Sequence, residues 1–397
     1  MATNKEQNKL NVPHLRFPEF HGEWEEHGLS EYLDFKNGLN PDSKRFGKGI
    51  KFISVMDILN NPVITYDCIR ASVQATDAEM SSFSVENGDI LFQRSSETLE
   101  DVGRANVYID DKVAVFGGFV IRGKKKANYN PLFFRYLLSS PYARKRIIPM
   151  GAGAQHFNIG QEGLSKVLLN FPSIEEQTKI ASLLHLLDER IATQSKLIEK
   201  LESLIKGIVD CTILRKEKNA IVGDVCSISE QIRAEANIDD IITVRLHGNG
   251  VCKSSAENLQ LGATQYYRRR AGQLIYGKQN FHNGAIGIVP ISLDNGITSK
   301  DIPSFDIDEM KCNSVYLLAQ LQSPQYYKPA EALTTGTGSK RLKEETFLKL
   351  PIVLPNKREQ DNIAVLIHRA SMNLDHAKRL LELLSIQKQF LLRQMFI

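Results

Sequence analysis

One short sequence signal occurs twice in this chain of 397 residues. FPSIEEQTKIA occupies positions 171–181, and LPNKREQDNIA occupies positions 354–364. The copies share five residues at a constant offset of 183 positions: Pro172 and Pro355, Glu176 and Glu359, Gln177 and Gln360, Ile180 and Ile363, and Ala181 and Ala364. Proline fits the first turn of a helix, and carboxylates favour the positive end of the helix dipole. The repeat therefore predicts two helices that begin at equivalent points.

Each copy of the signal opens a long heptad pattern, in which apolar residues recur at alternating steps of four and three. In the first helix the predicted seam consists of Ile180, Leu184, Leu187, Ile191, Ile198 and Leu201, with Gln194 in a polar position. In the second helix it consists of Ile363, Ile367, Leu374, Leu381 and Leu384, with Lys388 in a polar position of the seam. Each pattern lasts for roughly 35–40 residues, or about 55 Å at about 1.5 Å per residue.

Two such seams can cover each other, whereas a single seam would leave an apolar stripe in water. The sequence therefore predicts that the two helices form an antiparallel coiled coil within one chain. The alternative is that each helix packs on a globular domain of its own. Equivalent helices that pair in this way would give the chain a pseudo-twofold arrangement.

The helices divide the chain into four predicted segments: residues 1–172, a first helix at 173–214, residues 215–355 and a second helix at 356–397. The two blocks outside the helices share short stretches at nearly the same offset as the helices. The matching pairs are NGDILFQRSSE (87–97) with AGQLIYGKQNF (271–281), and the Gly-rich MGAGAQHFN (150–158) with LTTGTGSKR (333–341). The two blocks therefore share a common frame.

Elsewhere the two blocks differ strongly in sequence. Their strand-like stretches are GIKFISVMDI (49–58), VAVFGGFVIRGK (113–124), DIITVRLHG (240–248) and GAIGIVP (284–290). Helical stretches within the blocks are few, at 131–147 and 310–324. Each block is therefore predicted to be β-rich, and the fold class is α/β (α+β), with two β-rich domains separated by the two long helices.

Motifs for catalysis are missing from the sequence. It contains no Gly-x-x-x-x-Gly-Lys-Ser/Thr phosphate loop, no Asn/Asp-Pro-Pro-aromatic methyltransferase tetrapeptide and no His-Glu-x-x-His zinc motif. Pro41-Asp42 could start a nuclease motif, but no Glu-x-Lys follows at a suitable distance. The five cysteines form no Cys-x-x-Cys pair, and no run of 18 apolar residues occurs. We therefore expect a cytoplasmic, non-catalytic chain without a metal site or a cofactor of its own.

Basic and polar residues collect on the predicted loops of both blocks. Arg, Asn and Gln can bond to base edges in DNA, whereas Lys mostly contacts phosphates. In the first block the candidate DNA-binding residues are Lys44, Arg45, Lys48, Gln93, Arg94, Arg104, Gln155 and His156. In the second block they are Tyr267, Arg268, Arg269, Arg270, Lys278, Asn280, Lys340 and Arg341. Solvated surface charge is the alternative interpretation of each cluster, and the formal net charge of only +4 does not by itself favour DNA.

The combination of these features resembles the specificity (S) subunits of type I restriction–modification systems. The resemblance covers essentially the whole chain. It rests on the opening PHLRFPEFHGEWEEHGLSEY (13–32), on the proline-led helix signals at 172–180 and 355–363, and on the Gly-rich loops before them. The resemblance implies that each block is a target recognition domain for one half of a bipartite DNA sequence, and that the coiled coil fixes the separation of the halves.

The resemblance also implies the partners of the chain. An S subunit has no activity of its own. It binds two modification subunits, which use S-adenosylmethionine to methylate adenine, and through them two ATP-dependent restriction subunits. S-adenosylmethionine, ATP and Mg²⁺ would therefore belong to the partners and double-stranded DNA would be the ligand. The remaining alternatives are a coiled-coil assembly scaffold that binds no nucleic acid, and an enzyme whose site has no recognisable motif.

Overall fold

The structure, a computed structural model, describes residues 11–254, 264–336 and 340–397. The chain divides into two units. The first unit ends at Gln194 and resumes with Leu380–Ile397, and the second unit comprises Ser195–Arg379. Both long helices extend across this division, so each unit contains one part of each helix. The chain is of the mixed α/β class predicted from its sequence, with β-rich regions and two long helices.

The first unit is built mainly of short strands. The strands are β1 (Glu25–Gly28), β2 (Leu33–Asn37), β3 (Phe46–Ile53), β4 (Ser72–Val73), β5 (Ser84–Val85), β6 (Ile90–Gln93), β7 (Ser95–Ser96), β8 (Ala105–Val107), β9 (Ala114–Phe116), β10 (Val120–Lys125), β11 (Phe157–Asn158) and β12 (Leu168–Phe171). The short helices are α1 (Leu29–Tyr32), α2 (Val55–Asn60), α3 (Asp77–Phe83), α4 (Pro131–Ser139), α5 (Pro141–Ile147) and α6 (Gln161–Ser165).

Two four-stranded sheets organise the first unit. One has the order β2–β10–β6–β8 and is antiparallel throughout. The other has the order β4–β3–β9–β5, in which β3 and β9 are parallel. The core beside the first sheet contains Trp24, Phe133 and Phe134, and it also contains Leu184 of the first long helix and Leu384 of the second. The long helices are therefore part of the core of this unit.

The second unit has a similar composition of short elements. Its strands are β13 (Ala220–Ile221), β14 (Cys226–Ile228), β15 (Arg233–Ala234), β16 (Ile242–Val244), β17 (Val251–Lys253), β18 (Tyr266–Arg268), β19 (Leu274–Tyr276), β20 (Ile286–Ile288), β21 (Ile297–Ser299), β22 (Ser304–Ile307) and β23 (Pro351–Ile352). Its short helices are α8 (Ser314–Leu321), α9 (Pro324–Tyr327) and α10 (Glu344–Leu348). The two long helices are α7 (Ile174–Val209), which ends in a π-helical turn at Asp210–Leu214, and α11 (Lys357–Gln394).

The internal repeat of the sequence appears again in the topology of the two units. The sheet β14–β22–β19–β20 of the second unit matches β2–β10–β6–β8 of the first, strand for strand and with antiparallel pairing throughout. In both units a strand at the start pairs with the strand just before a long helix, β1 with β12 and β13 with β23. The shared frame predicted from the short matching stretches is thus a shared sheet.

The predicted strands are shorter than their sequence patterns suggested. The stretch 49–58 is not one strand: β3 ends at Ile53, because Ser54 donates to the Asp57 carboxylate from its backbone nitrogen and its hydroxyl, both at 2.7 Å, and so opens α2. The stretch 113–124 is broken between β9 and β10 at Gly117-Gly118. Likewise, the helical stretch 131–147 is two helices, because Ser140 caps α5 and Pro141 begins it.

The long helices contact each other within each unit. In the second unit, Glu202 pairs with Lys378 at 2.8 Å, and Lys216 pairs with Glu359. The residue numbers of the partners on α11 decrease as the residue numbers along α7 and its π-helical turn increase, so these parts of the helices run antiparallel. In the first unit, Lys388 pairs with Asp188 at 2.5 Å.

The eleven predicted seam residues are all buried or half-buried: Ile180, Leu184, Leu187, Ile191, Ile198, Leu201, Ile363, Ile367, Leu374, Leu381 and Leu384.

Lys388, the predicted polar residue of the second seam, therefore forms an ion pair with a carboxylate of α7. Asp188 also accepts from the Tyr136 hydroxyl at 2.9 Å and from Arg135 at 3.2 Å. Burial alone would raise the pKa of Asp188, but the bonds from Lys388 and Tyr136 and the charge of Arg135 outweigh burial and lower that pKa below its ordinary value. A polar pair in an apolar seam favours one register, because other registers would leave a buried charge unpaired.

The repeated glutamine of the helix signal makes the same contacts in both units. In the first unit, the Gln177 side chain accepts from the Asn130 backbone nitrogen at 3.1 Å and donates to the Pro172 carbonyl at 3.1 Å. In the second unit, the Gln360 side chain accepts from the Asn313 nitrogen at 2.9 Å and donates to the Pro355 carbonyl at 2.8 Å. Both glutamines are buried. Each therefore fastens the start of a long helix to the start of the helix α4 or α8.

We expect leucine at either glutamine to destabilise the unit that contains it. Gln177→Leu should lower the free energy of unfolding of the first unit by about 1–3 kcal/mol, because it removes the buried bond to the Pro172 carbonyl and the acceptor of the half-buried Asn130 nitrogen. Trp24, the single tryptophan of the chain, is buried in the first unit. Its fluorescence therefore measures the urea midpoint for unfolding of that unit. Glu175→Gln, at an exposed position two residues earlier, is the control. Equal midpoints for the two variants would contradict the role of Gln177.

Candidate nucleic-acid interface

The Gly-rich loop of the first unit lies against the segment that follows β6. Ser95 and Ser96 of β7 pair with Asn158 and Phe157 of β11, and the Ile159 nitrogen donates to the Arg94 carbonyl at 2.9 Å. A bridge between Ala152 and Asn158 closes the loop. The candidates Arg94, Gln155 and His156 therefore lie on adjoining segments. Gln155 and His156 are exposed, and Arg94 is half-buried.

The second unit has an equivalent arrangement at the equivalent place. Lys278 follows β19 as Arg94 follows β6, and the Leu342 nitrogen donates to the Lys278 carbonyl at 2.9 Å. A bridge between Thr335 and Arg341 closes the Gly-rich loop of this unit, of which residues 337–339 lie outside the described residues. The structure thus brings together the candidates Lys278, Lys340 and Arg341. We use the term loop platform for this arrangement. In the first unit it comprises the segment that follows β6 and the Gly-rich loop 150–158, and in the second unit it comprises the segment that follows β19 and the Gly-rich loop 333–341.

The charged side chains of the second loop platform have acidic partners. Lys278 pairs with Glu344 at 2.6 Å, and only 13% of its side chain is exposed. Lys340 pairs with Glu331 at 3.3 Å, and Arg341 pairs with Asp301 at 3.2 Å. Lys340 and Arg341 are exposed. Exposed ion pairs contribute little to stability, so these two cations can exchange a carboxylate for a phosphate at small cost, whereas Lys278 supports the fold.

Asn280 is exposed beside this platform and precedes the short 3-10 helix Phe281–Asn283. Its side-chain oxygen accepts from the Asn283 amide at 3.2 Å. Its own amide group has no partner among the described residues and can donate to a ligand. Asn280, which is predicted from the sequence to bind DNA, therefore has a side-chain donor that is available for a hydrogen bond to a ligand.

Gln93 and Arg104 flank the first platform from neighbouring strands. The Gln93 nitrogen donates to the Arg104 carbonyl at 2.7 Å. The Gln93 side chain is only 5% exposed and donates to the Ser95 carbonyl at 2.9 Å, so it shapes the turn instead of facing solvent. Arg104 is exposed and pairs with Asp101 at 2.6 Å. Of these two candidates, only Arg104 is presented to a ligand.

Lys44, Arg45 and Lys48 lie on the 3-10 turn Ser43–Arg45 and on β3. Arg45 pairs with Glu79 and donates to the Gln74 carbonyl at 2.9 Å. The bond from Arg45 lowers the pKa of Glu79 to about 2. Lys44 and Lys48 are exposed and have no side-chain partner among the described residues. The two lysines are therefore accessible to a ligand, whereas Arg45 links the turn before β3 to α3.

The three consecutive arginines of the second unit do not share one environment. Arg268 and Arg270 are exposed, whereas Arg269 is fully buried. Arg268 is the last residue of β18, and beyond the strand the Arg269 nitrogen donates to the Gly296 carbonyl at 2.7 Å. Tyr267, between β15 and β21, is half-buried, and its hydroxyl donates to the Gln265 side chain at 3.2 Å. The side chains of the outer two arginines are accessible to a ligand.

The Arg269 guanidinium is instead the polar centre of the second unit. It donates to the Thr298 hydroxyl at 2.7 Å, to the Ser304 hydroxyl at 2.9 Å and to the Ile302 carbonyl at 3.0 Å. No carboxylate pairs with it among the described residues, and burial lowers its pKa to about 10. The prediction that Arg269 contacts DNA rests on its residue type and on its position in a predicted loop. Its burial places it among the residues that hold the strands together.

One exposed residue beside the first platform escaped the sequence analysis. Phe119 forms the tip of the turn between β9 and β10, and its side chain is 68% exposed. Its carbonyl accepts from the Arg94 nitrogen at 2.9 Å. The signal that could have identified it is the pair Gly117-Gly118, which marks a turn inside an otherwise strand-like stretch.

The described residues contain no group of three or more His, Cys, Asp or Glu side chains that could hold a metal ion. Within the same ranges, no helix is long and apolar enough to cross a membrane. The two loop platforms and the segments beside them present cations, amides and the Phe119 ring. Such side chains suit recognition of a polyanion through its phosphates and base edges.

Comparisons with known proteins agree with this interpretation. Residues 21–203 match the family model for the type I restriction modification DNA specificity domain. The chain is also 24% identical over 210 residues to a protein of Methanocaldococcus jannaschii, whose assignment as the type I restriction enzyme MjaX specificity subunit is itself provisional. That alignment covers 52% of this chain and 48% of the relative, so the chain spans about half the length of this curated relative.

A solved structure shares the fold over nearly the whole chain. It is the S subunit of a type I restriction–modification system from M. genitalium, with a TM-score of 0.65 and 13% sequence identity, and the match covers 97% of this chain and 99% of that one. At this identity the likeness concerns the fold. The chain thus matches the type I restriction modification DNA specificity domain at residues 21–203, and it shares the fold of a solved S subunit over nearly its whole length.

Proposed function

We propose that the chain recognises a bipartite DNA sequence and directs partner subunits to it. The observation that supports this proposal is the pair of loop platforms. Both place cations or amides at the end of the third strand of equivalent sheets, and both are fastened by the same hydrogen bond, from Ile159 to Arg94 and from Leu342 to Lys278. The sequences of the two platforms differ, so equal frames would present different side chains to two different half-sites.

The proposed target domains are residues 1–172 and 215–355, and the helices at 173–214 and 356–397 form the proposed spacer. An antiparallel coiled coil with pseudo-twofold symmetry would hold the two domains on one duplex at a fixed distance. One helical turn of DNA spans about 34–36 Å, and a spacer helix of about 55 Å is of the same order of length. The register pair formed by Lys388 and Asp188 supports a spacer of defined length.

The proposed division of labour leaves the chemistry to other subunits. The chain would be a non-catalytic, cytoplasmic subunit without cofactors of its own. Two modification subunits would supply S-adenosylmethionine and methylate adenine, and two restriction subunits would join through them with ATP and Mg²⁺. The modification subunits would share the DNA footprint, which would explain why the chain itself needs a formal net charge of only +4.

The competing proposal is a coiled-coil scaffold that binds no nucleic acid. The two proposals differ in the role of the exposed cations, because a scaffold does not need them. The decisive measurement is the salt dependence of binding to random duplex DNA, made with the full chain and its modification subunit. An enzyme with an unrecognised site would instead methylate or cleave DNA without any partner.

We expect alanine at Arg268 and Arg270 together, or at Lys44 and Lys48 together, to weaken binding to all sequences. Each lost phosphate contact should reduce the slope of log K against log salt by about 0.9. The matched controls are Lys311→Ala in the second unit and Lys166→Ala in the first, since both lysines are exposed and pair within their own turns.

Unchanged slopes for both double variants, with a complex that still assembles, would favour the scaffold. Equal effects of the control substitutions would show instead that only the overall charge matters. The half-sites themselves can be determined by mapping methylated adenines in cells that contain the complex.

A further inference from the structure

An apolar groove lies beside the loop platform of the first unit. It has a volume of about 430 Å³, and its walls include Phe46, Phe52, Met56 and Phe119. Phe119 is 68% exposed, Met56 60% and Phe46 43%. Single exposed apolar residues are ordinary on protein surfaces, but three around one groove form a patch that is typical of a binding site.

The backbone around Phe119 is held rigidly from several sides. The Gly117 nitrogen donates to the Ile53 carbonyl at 3.0 Å, and the Val120 nitrogen closes the turn onto the Gly117 carbonyl at 2.8 Å. A Cβ at Gly118 would lie 1.8 Å from the Asn40 side-chain oxygen. The turn therefore has one conformation, although the Phe119 ring contributes little to the core. A large ring held in water on a fixed turn is preorganised for contact with a ligand.

Arg94 adjoins the turn at this groove, and two lysines lie close to Phe46 in sequence. Arg94 donates to the Gly118 carbonyl at 3.3 Å through one amino group, which fixes the guanidinium beside the turn and leaves its other donors available. The exposed Lys44 and Lys48 flank Phe46 along the chain. The nearby Asp42 carboxylate accepts from the Lys44 nitrogen at 2.9 Å and caps the turn. The rim thus complements a polyanion, and its centre suits an apolar group.

We propose that Phe119 and Arg94 recognise neighbouring base pairs in the major groove of DNA, with Phe119 contacting the methyl group of a thymine and Arg94 contacting a guanine. This inference rests on the proposed DNA-binding function. The thymine methyl is the one apolar group that base edges present in the major groove, and the guanine O6 and N7 atoms are the usual partners of arginine. The half-site of the first unit would therefore contain a thymine next to a guanine.

The test compares thymine with uracil at each thymine of the half-site, because uracil lacks only the methyl group. The full chain with its modification subunit would be titrated with both duplexes. We expect uracil at one position to weaken binding by the wild-type complex about fourfold, the effect of one buried methyl-sized group. Phe119→Ala should weaken binding to the thymine duplex about as much and show no further loss with uracil.

The matched control is Val113→Ala, because Val113 is 45% exposed at the other end of β9. This variant should keep the full sensitivity to uracil. If no thymine of the half-site shows sensitivity in the wild-type complex, or if Phe119→Ala keeps it, the inference is overturned while DNA binding stands. If the wild-type complex binds no DNA, the proposed function fails and the inference fails with it.

Discussion

Adding one heptad to both long helices is expected to change the distance between the two DNA half-sites and to leave the half-sites unchanged. The insertions belong after Gln194 and after Arg379, where the division between the units crosses α7 and α11. Seven residues keep the seam in phase and lengthen each helix by about 10 Å. That length corresponds to about three base pairs at about 3.4 Å each. It also turns one half-site by about a quarter of a turn around the duplex.

The measurement is the methylated sequence in cells that carry the lengthened chain with its partner subunits. The control is a four-residue insertion in α7 alone, which breaks the seam and should destabilise the chain. An active heptad variant with an unchanged gap would show that the helices do not set the spacing. A change in the bases themselves would show that the helices contribute to sequence choice.

Among the three consecutive arginines of the second unit, only the middle one is expected to matter for folding. Arg269→Ala should lower the free energy of unfolding by on the order of 3 kcal/mol, since it empties the site of a large buried side chain and removes its bonds to Thr298, Ser304 and Ile302. Arg268→Ala and Arg270→Ala should each change it by less than about 0.5 kcal/mol, because both side chains are exposed.

Hydrogen exchange at β18 and β21 is the appropriate measurement, because it reports on the second unit alone. The DNA assay should give the opposite ranking: the two outer variants reduce the salt slope, and the middle variant leaves it unchanged under conditions where the chain is folded. Similar stability for all three variants would mean that Arg269 is not the polar centre of this unit.

The architecture could be predicted from the sequence because its strongest patterns are long. A heptad seam that recurs at the same offset as Pro172 and Pro355 is difficult to satisfy without two paired helices. Short patterns were less informative. GIKFISVMDI looks like a strand throughout, yet the link between Ser54 and Asp57 turns its second half into a helix. A capping contact of one or two hydrogen bonds competes successfully with strand propensity over so few residues.

The candidate site was less predictable, because residue type does not determine which side chains reach the surface. Arg268 and Arg269 are identical in type and adjacent in sequence, yet the first ends β18 at the surface and the second is buried, where it donates to Thr298, Ser304 and Ile302. Gln93 is buried at the end of β6, a central strand in which all four residues are buried. Phe119 was passed over because aromatic residues in apolar stretches usually enter the core. Only the backbone of the turn at Gly117-Gly118 shows that its ring faces outward.

The division of the chain has a consequence for its synthesis on the ribosome. The second unit is continuous in sequence, whereas the core of the first unit includes Leu384 and Leu391 of α11 and Phe396, which follows that helix. The Phe396 ring lies 5.7 Å from that of Phe133 and 6.4 Å from that of Trp24. A nascent chain can therefore complete its second unit before its first, which must keep an apolar face exposed until the last helix emerges. During that interval chaperones and proteases can act on the exposed apolar face of the first unit. A premature stop codon within α11 would leave that face exposed permanently.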